Sequence, residues 1–579
     1  MLPKKRSIFR LVGVYFLVAC AVTWPAILHP QALVPGSDRT DLWNSLWSLW
    51  FFQDSIWAGE FPLTVDLLDF PRTSVFQIAD PLNGVFGVLL VPLLGLSAAY
   101  TALVLGHLVF SGVAAHLLGR TVHGSDRAGW VAGVGFSCAP VLISGVHNGT
   151  SEAFAGGWLA LAVLALIHAT EGEDRRSLLW ASFALFISCL GGWYAGVCAW
   201  LAWLALLVVG RGNGVRKQRT RRLVVVGALG LGLCLPLAVS MSHSVQSGNQ
   251  IGIKSDRELS TVRRSTGPAD PLGWFVPGDF RSPDFREISR DNEEFVHSHY
   301  LGWTLILGAG WVFLRSRKGL GALALAGAFG FVLAMGPVLV RGGQAWVFGS
   351  GLVVPLPYFF VEGFPGFESL SLLFRLGVLP ALVLAVLAGG VGHHLRRGWV
   401  VFTAMVFLEL RVLAPVAGLP VVENALLSDT LSALAQAPAG AVMNYPIAGG
   451  RPYLYEQSTH GKPIAGRLNF PNNAASKKVW RALEAAHAMP VESGVRHVRT
   501  MAQKTKSGSC EALQSFCVHG ELNRSASKSM CRCVYGVRYL VLHQDELVRP
   551  DMHHQSVEWA EANLMTIAED AKMKVIQLW

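Results

Sequence analysis

A series of long apolar runs constrains this chain more than any other feature. About 20 helical residues cross the hydrocarbon core of a bilayer. Runs near that length fall at 9–28, 98–118, 128–146, 153–170, 176–193, 195–210, 223–241, 299–314, 320–340, 373–394 and 399–416. About eleven membrane-crossing helices are therefore expected, in a mostly α, polytopic transmembrane bundle over residues 1–416. Charge supports the class: 15% of the 579 residues are charged and 52% are hydrophobic, against about 25% charged in soluble domains. At Gly191-Gly192-Trp193 the fifth and sixth runs form either a hairpin or one broken helix.

The formal charge of +10 raises a nucleic-acid partner, but the basic residues sit in short clusters between apolar runs. That distribution fits loops facing the anionic cytoplasmic leaflet, so the partner is membrane lipid and no nucleic acid is expected. Lys4, Lys5, Arg6 and Arg10 precede the first run. If that end is cytoplasmic, each later inner loop should also be basic, and each is: Arg120 and Arg127, Arg175 and Arg176, Arg211 to Arg222, Arg315 to Lys318, Arg396 and Arg397. The first run lacks a small-residue cleavage site after it and is taken as an anchor. This orientation puts the loops 29–97, 242–298 and 341–372 on the outer side, together with a tail over 417–579. The polar mass then lies on one face, where chemistry or binding is expected. In a bacterium that face is the periplasmic side of the inner membrane.

In the first outer loop Pro35-Gly36 makes a turn, and Ser37 or Asp38 can cap a following helix. Trp43, Leu46, Trp47 and Trp50 follow at spacings of three and four, an apolar stripe suited to the headgroup level. Asp38 and Asp41 thus begin a helix expected to lie along the outer membrane surface. As an N-cap and a first-turn anion they would suit the helix dipole. A second apolar stretch, Val85 to Leu96, reads as another interfacial or re-entrant helix. In the 242–298 loop, Lys254, Arg257, Arg263, Arg264, Arg281, Arg286 and Arg290 either contact an anionic lipid-linked ligand or form a solvated mixed-charge surface.

A first span followed by an outer loop with Gly36-Ser37-Asp38 and spaced tryptophans resembles the GT-C glycosyltransferases, in particular their bacterial YfhO-like branch. Further segments agree in order: Asp80-Pro81, Ala99-Tyr100, Gly124 to Pro140, His147-Asn148-Gly149 to Glu152, His299-Tyr300-Leu301-Gly302 and Pro365-Gly366-Phe367 to Arg375. In the tail, Asn444-Tyr445-Pro446-Ile447, His460-Gly461-Lys462-Pro463-Ile464 and Gly536 to Val541 do too.

The resemblance implies transfer of a sugar from a polyprenyl-phosphate carrier to a glycan, lipid or protein acceptor on the outer face, with inversion. It implies that Asp38 is the general base, with Asp41 in reserve. Arg375, at the outer start of the tenth span, would grip the carrier phosphate; its plain alternative is a helix-end residue reaching the interface. His147 and Glu152, with His299 and Tyr300, would line the acceptor cavity. Two histidines and a carboxylate from separate segments are a weak metal signal, so a divalent cation such as Mg or Mn is left open.

The tail reads as a small extracytoplasmic α/β domain, with strands at Ala441–Tyr445 and Tyr539–Leu542 and helices at Ser476–Ala488 and Ser556–Glu569. Outside the cytoplasm Cys510, Cys517, Cys531 and Cys533 are disulfide candidates. Cys531 and Cys533 are too close to bridge each other easily, and a zinc site is the alternative. Two other functions compete with transfer. A transporter or flippase for a lipid-linked saccharide calls for charge deep within the spans, and Glu409 in the eleventh run is such a residue. The other is a non-catalytic envelope scaffold presenting the tail.

Overall fold

In the computed structural model the described residues are 5–72, 74–75, 81–172, 174–210, 215–246, 256–265, 267–277, 295–315, 319–342, 344–349, 351–364, 367–368, 370–413, 419, 421–423, 429–445, 452–466, 473–504, 536–543, 554–571 and 573–579. Every apolar run holds a helix. They are Lys5–Thr23, Leu96–His123, Asp126–Ser137 continued by Pro140–His147, Gly157–Glu171, Arg175–Gly191, Trp193–Val209, Val215–Gln246, Trp303–Arg315, Gly321–Ala334, Val378–His394 and Trp399–Leu408. Four stretches are long and apolar enough to cross a membrane by length and composition: 96–123, 126–147, 217–240 and 373–394. The chain is a polytopic helical membrane bundle.

Local sequence explains the breaks. The residue before a proline is pushed out of the helical region. Ala139 accordingly has ψ 128°, and Pro140 opens the next helix at its first turn. At Gly191-Gly192 the chain forms two helices rather than one broken one. One face of Lys5–Thr23 packs against the bundle: Tyr15 is buried, stacks on Trp130 at 5.5 Å and lies 3.2 Å from His116 Nδ1.

Described members of the basic clusters stand at helix ends of this bundle. Arg120 closes 96–123 and Arg315 closes 303–315, while Arg222 donates to the carbonyls of Ala169 and Asp174. The first loop and the tail meet where Leu33–Pro35 pairs antiparallel with Val421–Glu423.

The tryptophan stripe has a different partner from the one expected. The helix Leu42–Trp57 buries Trp43, Leu46 and Trp47, and Trp43 and Trp47 face the tail helix Pro452–His460 rather than headgroups. Trp47 stacks on Phe51 at 4.9 Å and donates its indole N–H to Gln457 Oε1 at 2.7 Å. Trp43 lies 5.4 Å from the Tyr455 ring. Gln457 also donates to the carbonyls of Leu67 and Lys462 at 2.8 and 2.9 Å. Helical periodicity finds the apolar face but not what covers it. Gln457→Leu should remove all three bonds; the Leu67 carbonyl keeps the Ile464 N–H, while the Trp47 indole and the Lys462 carbonyl lose their Gln457 partner, at about 1–3 kcal/mol for a buried group so deprived. Thermal unfolding of the purified chain checks this loss.

The tail builds a four-stranded sheet in the order Met565–Glu569, Met573–Gln577, Val537–His543, Ala441–Tyr445. The last pair is parallel and the others antiparallel. The helix Ala474–His487 appears as expected and is closed by an Asn473–Ser476 capping box. The helix expected over Ser556–Glu569 is shorter, His554–Asn563. Residues Met565–Glu569 form an edge strand instead, because Asp570 accepts from the Met573 N–H at 2.9 Å and closes a hairpin onto 573–577. Cys510, Cys517, Cys531 and Cys533 lie outside the described residues, as do Asp80, Lys254, Arg281, Arg286, Arg290, Pro365 and Gly366.

One tail histidine makes stability depend on pH. Burial, reinforced by the nearby Lys462, lowers His460 to about 3, and its Nδ1 accepts the Lys462 backbone N–H at 3.0 Å. The unfolded chain protonates this group near its ordinary value of about 6.5. Stability should therefore be full above about 6.5 and fall as pH drops toward 3, because only the unfolded state takes up the proton. A pH series of unfolding midpoints should flatten over this window in His460→Gln.

Candidate functional site

Four segments meet at the tail-bearing end of the bundle, and the turn at His147–Glu152 joins them. The Ser37 N–H donates to the His147 carbonyl at 2.8 Å, and the Asp41 N–H to the Asn148 carbonyl at 3.0 Å. Ser45 Oγ donates to the Gly149 carbonyl at 2.6 Å. Gly149 has φ +61°, and a Cβ there would collide with the Leu42 backbone. Glycine is needed at this point because the turn sits directly on the start of the 42–57 helix.

Asn148, buried, imitates a strand partner. Its carboxamide donates to the Val296 carbonyl and accepts the Val296 N–H, both at 2.8 Å. From Val296 the chain passes to His297, whose ring stacks on Phe374 at 4.4 Å. The next residue, Arg375, donates to Glu152 Oε1 at 2.8 Å and returns the circuit to the first turn. Both side chains of this pair are largely buried, 9% and 14% exposed. The Arg375 guanidinium lies 5.4 Å from the centre of the Tyr194 ring, and the Tyr194 oxygen accepts the backbone N–H groups of Ser371 and Leu372 at 3.3 and 3.0 Å.

The two candidate bases differ. Asp38 is exposed, and no described residue bonds to its carboxylate; its backbone carbonyl accepts the Trp43 indole N–H at 2.8 Å. Asp41 is half-buried at the helix start, and its Oδ1 accepts from Asn44 Nδ2 at 3.0 Å rather than from a backbone N–H. His147 is half-buried with Nδ1 3.2 Å from Asn148 Oδ1. His299 is buried, with Nε2 2.8 Å from the Asp270 carbonyl and its ring edge-on to Trp274.

Tyr300 and Glu409 form a structural unit beside this circuit. The Tyr300 hydroxyl donates to Glu409 Oε1 at 2.6 Å. The same carboxylate accepts the N–H groups of Trp303 and Thr304 at 2.6 and 2.8 Å, capping the helix 303–315. A half-buried charge thus satisfies helix-end donors. Glu409→Ala should orphan these groups and lower the unfolding temperature, with little effect on a reaction at Asp38.

The structure therefore brings together Asp38, Asp41, His147, Glu152 and Arg375, with His299 on the adjoining segment. Sequence reading missed Asn148 and Tyr194 as members of this circuit. Asn148 stands in an Asn-Gly-Thr triplet, and Tyr194 comes just after Gly191-Gly192. Their roles depend on backbone groups far along the chain. Among the described residues no three His, Cys, Asp or Glu side chains group as metal ligands, and Glu152 is engaged by Arg375.

No family model matches the chain, and no curated protein matches it. Solved structures do. A variant of the arabinofuranosyltransferase AftD from Mycobacteria superposes with a TM-score of 0.50 at 15% identity, covering 100% of this chain and 42% of that one. The chain thus spans less than half the length of that protein. ArnT from Cupriavidus metallidurans bound to undecaprenyl phosphate gives a TM-score of 0.45 at 12% identity, covering 100% and 99%. An Archaeoglobus fulgidus oligosaccharyltransferase with Zn and sulfate gives 0.48 at 12%, covering 92% and 68%. At such identities the AftD likeness speaks for architecture alone: the chain shares the fold of that protein over the matched part.

Proposed function

We propose that the chain is a membrane glycosyltransferase that moves a sugar from a polyprenyl-phosphate carrier to an acceptor hydroxyl, with inversion. The supporting observation is that an exposed aspartate, Asp38, stands on a loop hydrogen-bonded to the turn that holds the buried Arg375–Glu152 pair. A general base and a fixed cation at one end of an apolar bundle are what this chemistry needs. The fold likeness to an arabinofuranosyltransferase supports the same reading.

In the reaction the acceptor oxygen attacks the anomeric carbon as the bond from that carbon to the phosphate oxygen breaks. The electron pair leaves with the polyprenyl phosphate, and the acceptor proton passes to the Asp38 carboxylate. One displacement at one carbon inverts its configuration. Arg375 binds the departing phosphate oxygens through N–H groups beyond the one given to Glu152; a guanidinium has five. Glu152 and the Tyr194 ring hold the guanidinium in place. His147 and His299 flank the acceptor approach, and the acceptor is a glycan, lipid or protein.

The basic loops of the bundle face the cytosol in this reading. The site and the tail then lie on the periplasmic face of a bacterial inner membrane, and the tail cysteines face an oxidising compartment. Glu409, a charge within the eleventh run that would suit a transporter, caps the helix 303–315, which accounts for it without translocation. The test is incubation of the purified chain in nanodiscs with polyprenyl-phosphate-linked pentoses and hexoses. Mass spectrometry should detect released polyprenyl phosphate and a glycosylated acceptor in equal amounts. Sugar lipid crossing liposomes with no carrier released would sink the proposal.

A further inference from the structure

The segment from Val338 to Phe364, most of it in the outer loop expected at 341–372, turns several large apolar side chains outward. It forms two short hairpin pairings, Val340–Arg341 with Gln344–Ala345 and Val347–Phe348 with Leu352–Val353. Val347, Leu352, Phe360 and Phe364 are 52%, 71%, 70% and 59% exposed, and Trp346 stacks on Phe348 at 4.9 Å. In water a contiguous apolar patch of this kind signals a missing partner.

Its neighbours identify that partner. The Asp270 carboxylate accepts the N–H of Gly342 at 2.6 Å and of Leu272 at 2.9 Å, tying the hairpin to the turn Pro271–Trp274. Leu272 and Val276 on this turn are also exposed. Phe275 meets Trp303 at 5.8 Å, at the start of the membrane helix 303–315. Along that helix Leu307 and Leu314 are 66% and 74% exposed. Exposed apolar side chains therefore line a bundle helix, the turn that meets its start and the hairpin tied to that turn. Arg341 sits over the Trp346 ring at 5.4 Å, a cation and an aromatic side by side as at the headgroup level.

We propose that the hairpin 338–364 is immersed in the headgroup–acyl boundary of the same bilayer that holds the bundle, with Arg341 at the lipid phosphates. The hairpin is then a membrane anchor rather than a solvated loop. Because Asp270 holds both the hairpin and, through its carbonyl, His299, the anchor sets the level of the headgroups at the candidate site. The inference rests on the membrane fold and holds whether or not the chain transfers sugar.

The test uses the full chain in phosphatidylcholine–phosphatidylglycerol nanodiscs, nitroxide-labelled at Leu352→Cys, Phe360→Cys or, as a control on the exposed face of a tail helix, Lys478→Cys. Labelled chain without an added cysteine supplies the background. Oxygen partitions into lipid and a nickel chelate into water. At 352 and 360 collisions with oxygen should exceed those with the chelate several-fold, with the opposite order at 478. Chelate collisions dominating at 352 and 360 would overturn the inference. So would shielding from both agents, or dipolar broadening from a second copy, since either means that protein covers the patch. Two sites in separate parts of the segment keep the test decisive if one variant fails to fold.

Discussion

Asp38→Asn should lower the rate of sugar transfer by about 10²–10⁴-fold, the usual share of a general base, with the donor KM nearly unchanged. The substitution keeps the shape of the side chain and removes only its capacity to take a proton. The loop stays in place because its contacts use backbone atoms: the Ser37 N–H on the His147 carbonyl and the Asp38 carbonyl under the Trp43 indole. A loss confined to kcat therefore reports chemistry. Asp41→Asn should cost far less, because Asp41 already accepts from Asn44 at the helix start. Initial rates of both variants with one donor decide the assignment. A larger loss for Asp41→Asn would transfer the role to that residue, and normal rates for both would remove the base from this loop.

Arg375→Met should abolish measurable transfer and also destabilise the protein. Glu152 is left largely buried without its partner at 2.8 Å, and breaking a buried pair from one side costs about 3–5 kcal/mol. Loss of activity alone would thus be ambiguous. The double variant Arg375→Met/Glu152→Gln resolves it: with the orphaned charge gone, the unfolding temperature should return most of the way. Transfer should not return, because no cation then meets the departing phosphate. Recovery of both would reduce Arg375 to a packing role.

The tail takes part in this arrangement. Gln457 and Tyr455 hold the face of the 42–57 helix that follows Asp38. The fall in stability expected for Gln457→Leu, and the His460-dependent loss toward acid, should therefore be felt at the site as well as in the tail.

The apolar runs were legible in the sequence because lipid leaves a helix no alternative partner for its backbone; run length and charge placement were enough to find each helix. The strands at 441–445 and 537–543 were legible for a similar reason, being short apolar segments of β-forming residues. The edge strand at 565–569 was not, since a hairpin closed by Asp570 outcompeted a helical pattern of similar quality. Asp38 and Arg375 were named as candidates through the family resemblance, but the pairing of Arg375 with Glu152 was not legible.

What the sequence determined by itself was the class, a helical bundle made for a membrane with basic loops at one end and a tail at the other. Tertiary structure alone decided that the tryptophans face the tail, that Glu152 neutralises Arg375 and that Asn148 joins the first loop to Val296. The reason is physical. Burying apolar surface against lipid depends on residues near one another in the chain, whereas pairing a buried charge or carboxamide depends on groups over a hundred residues away, brought close only once the helices have packed.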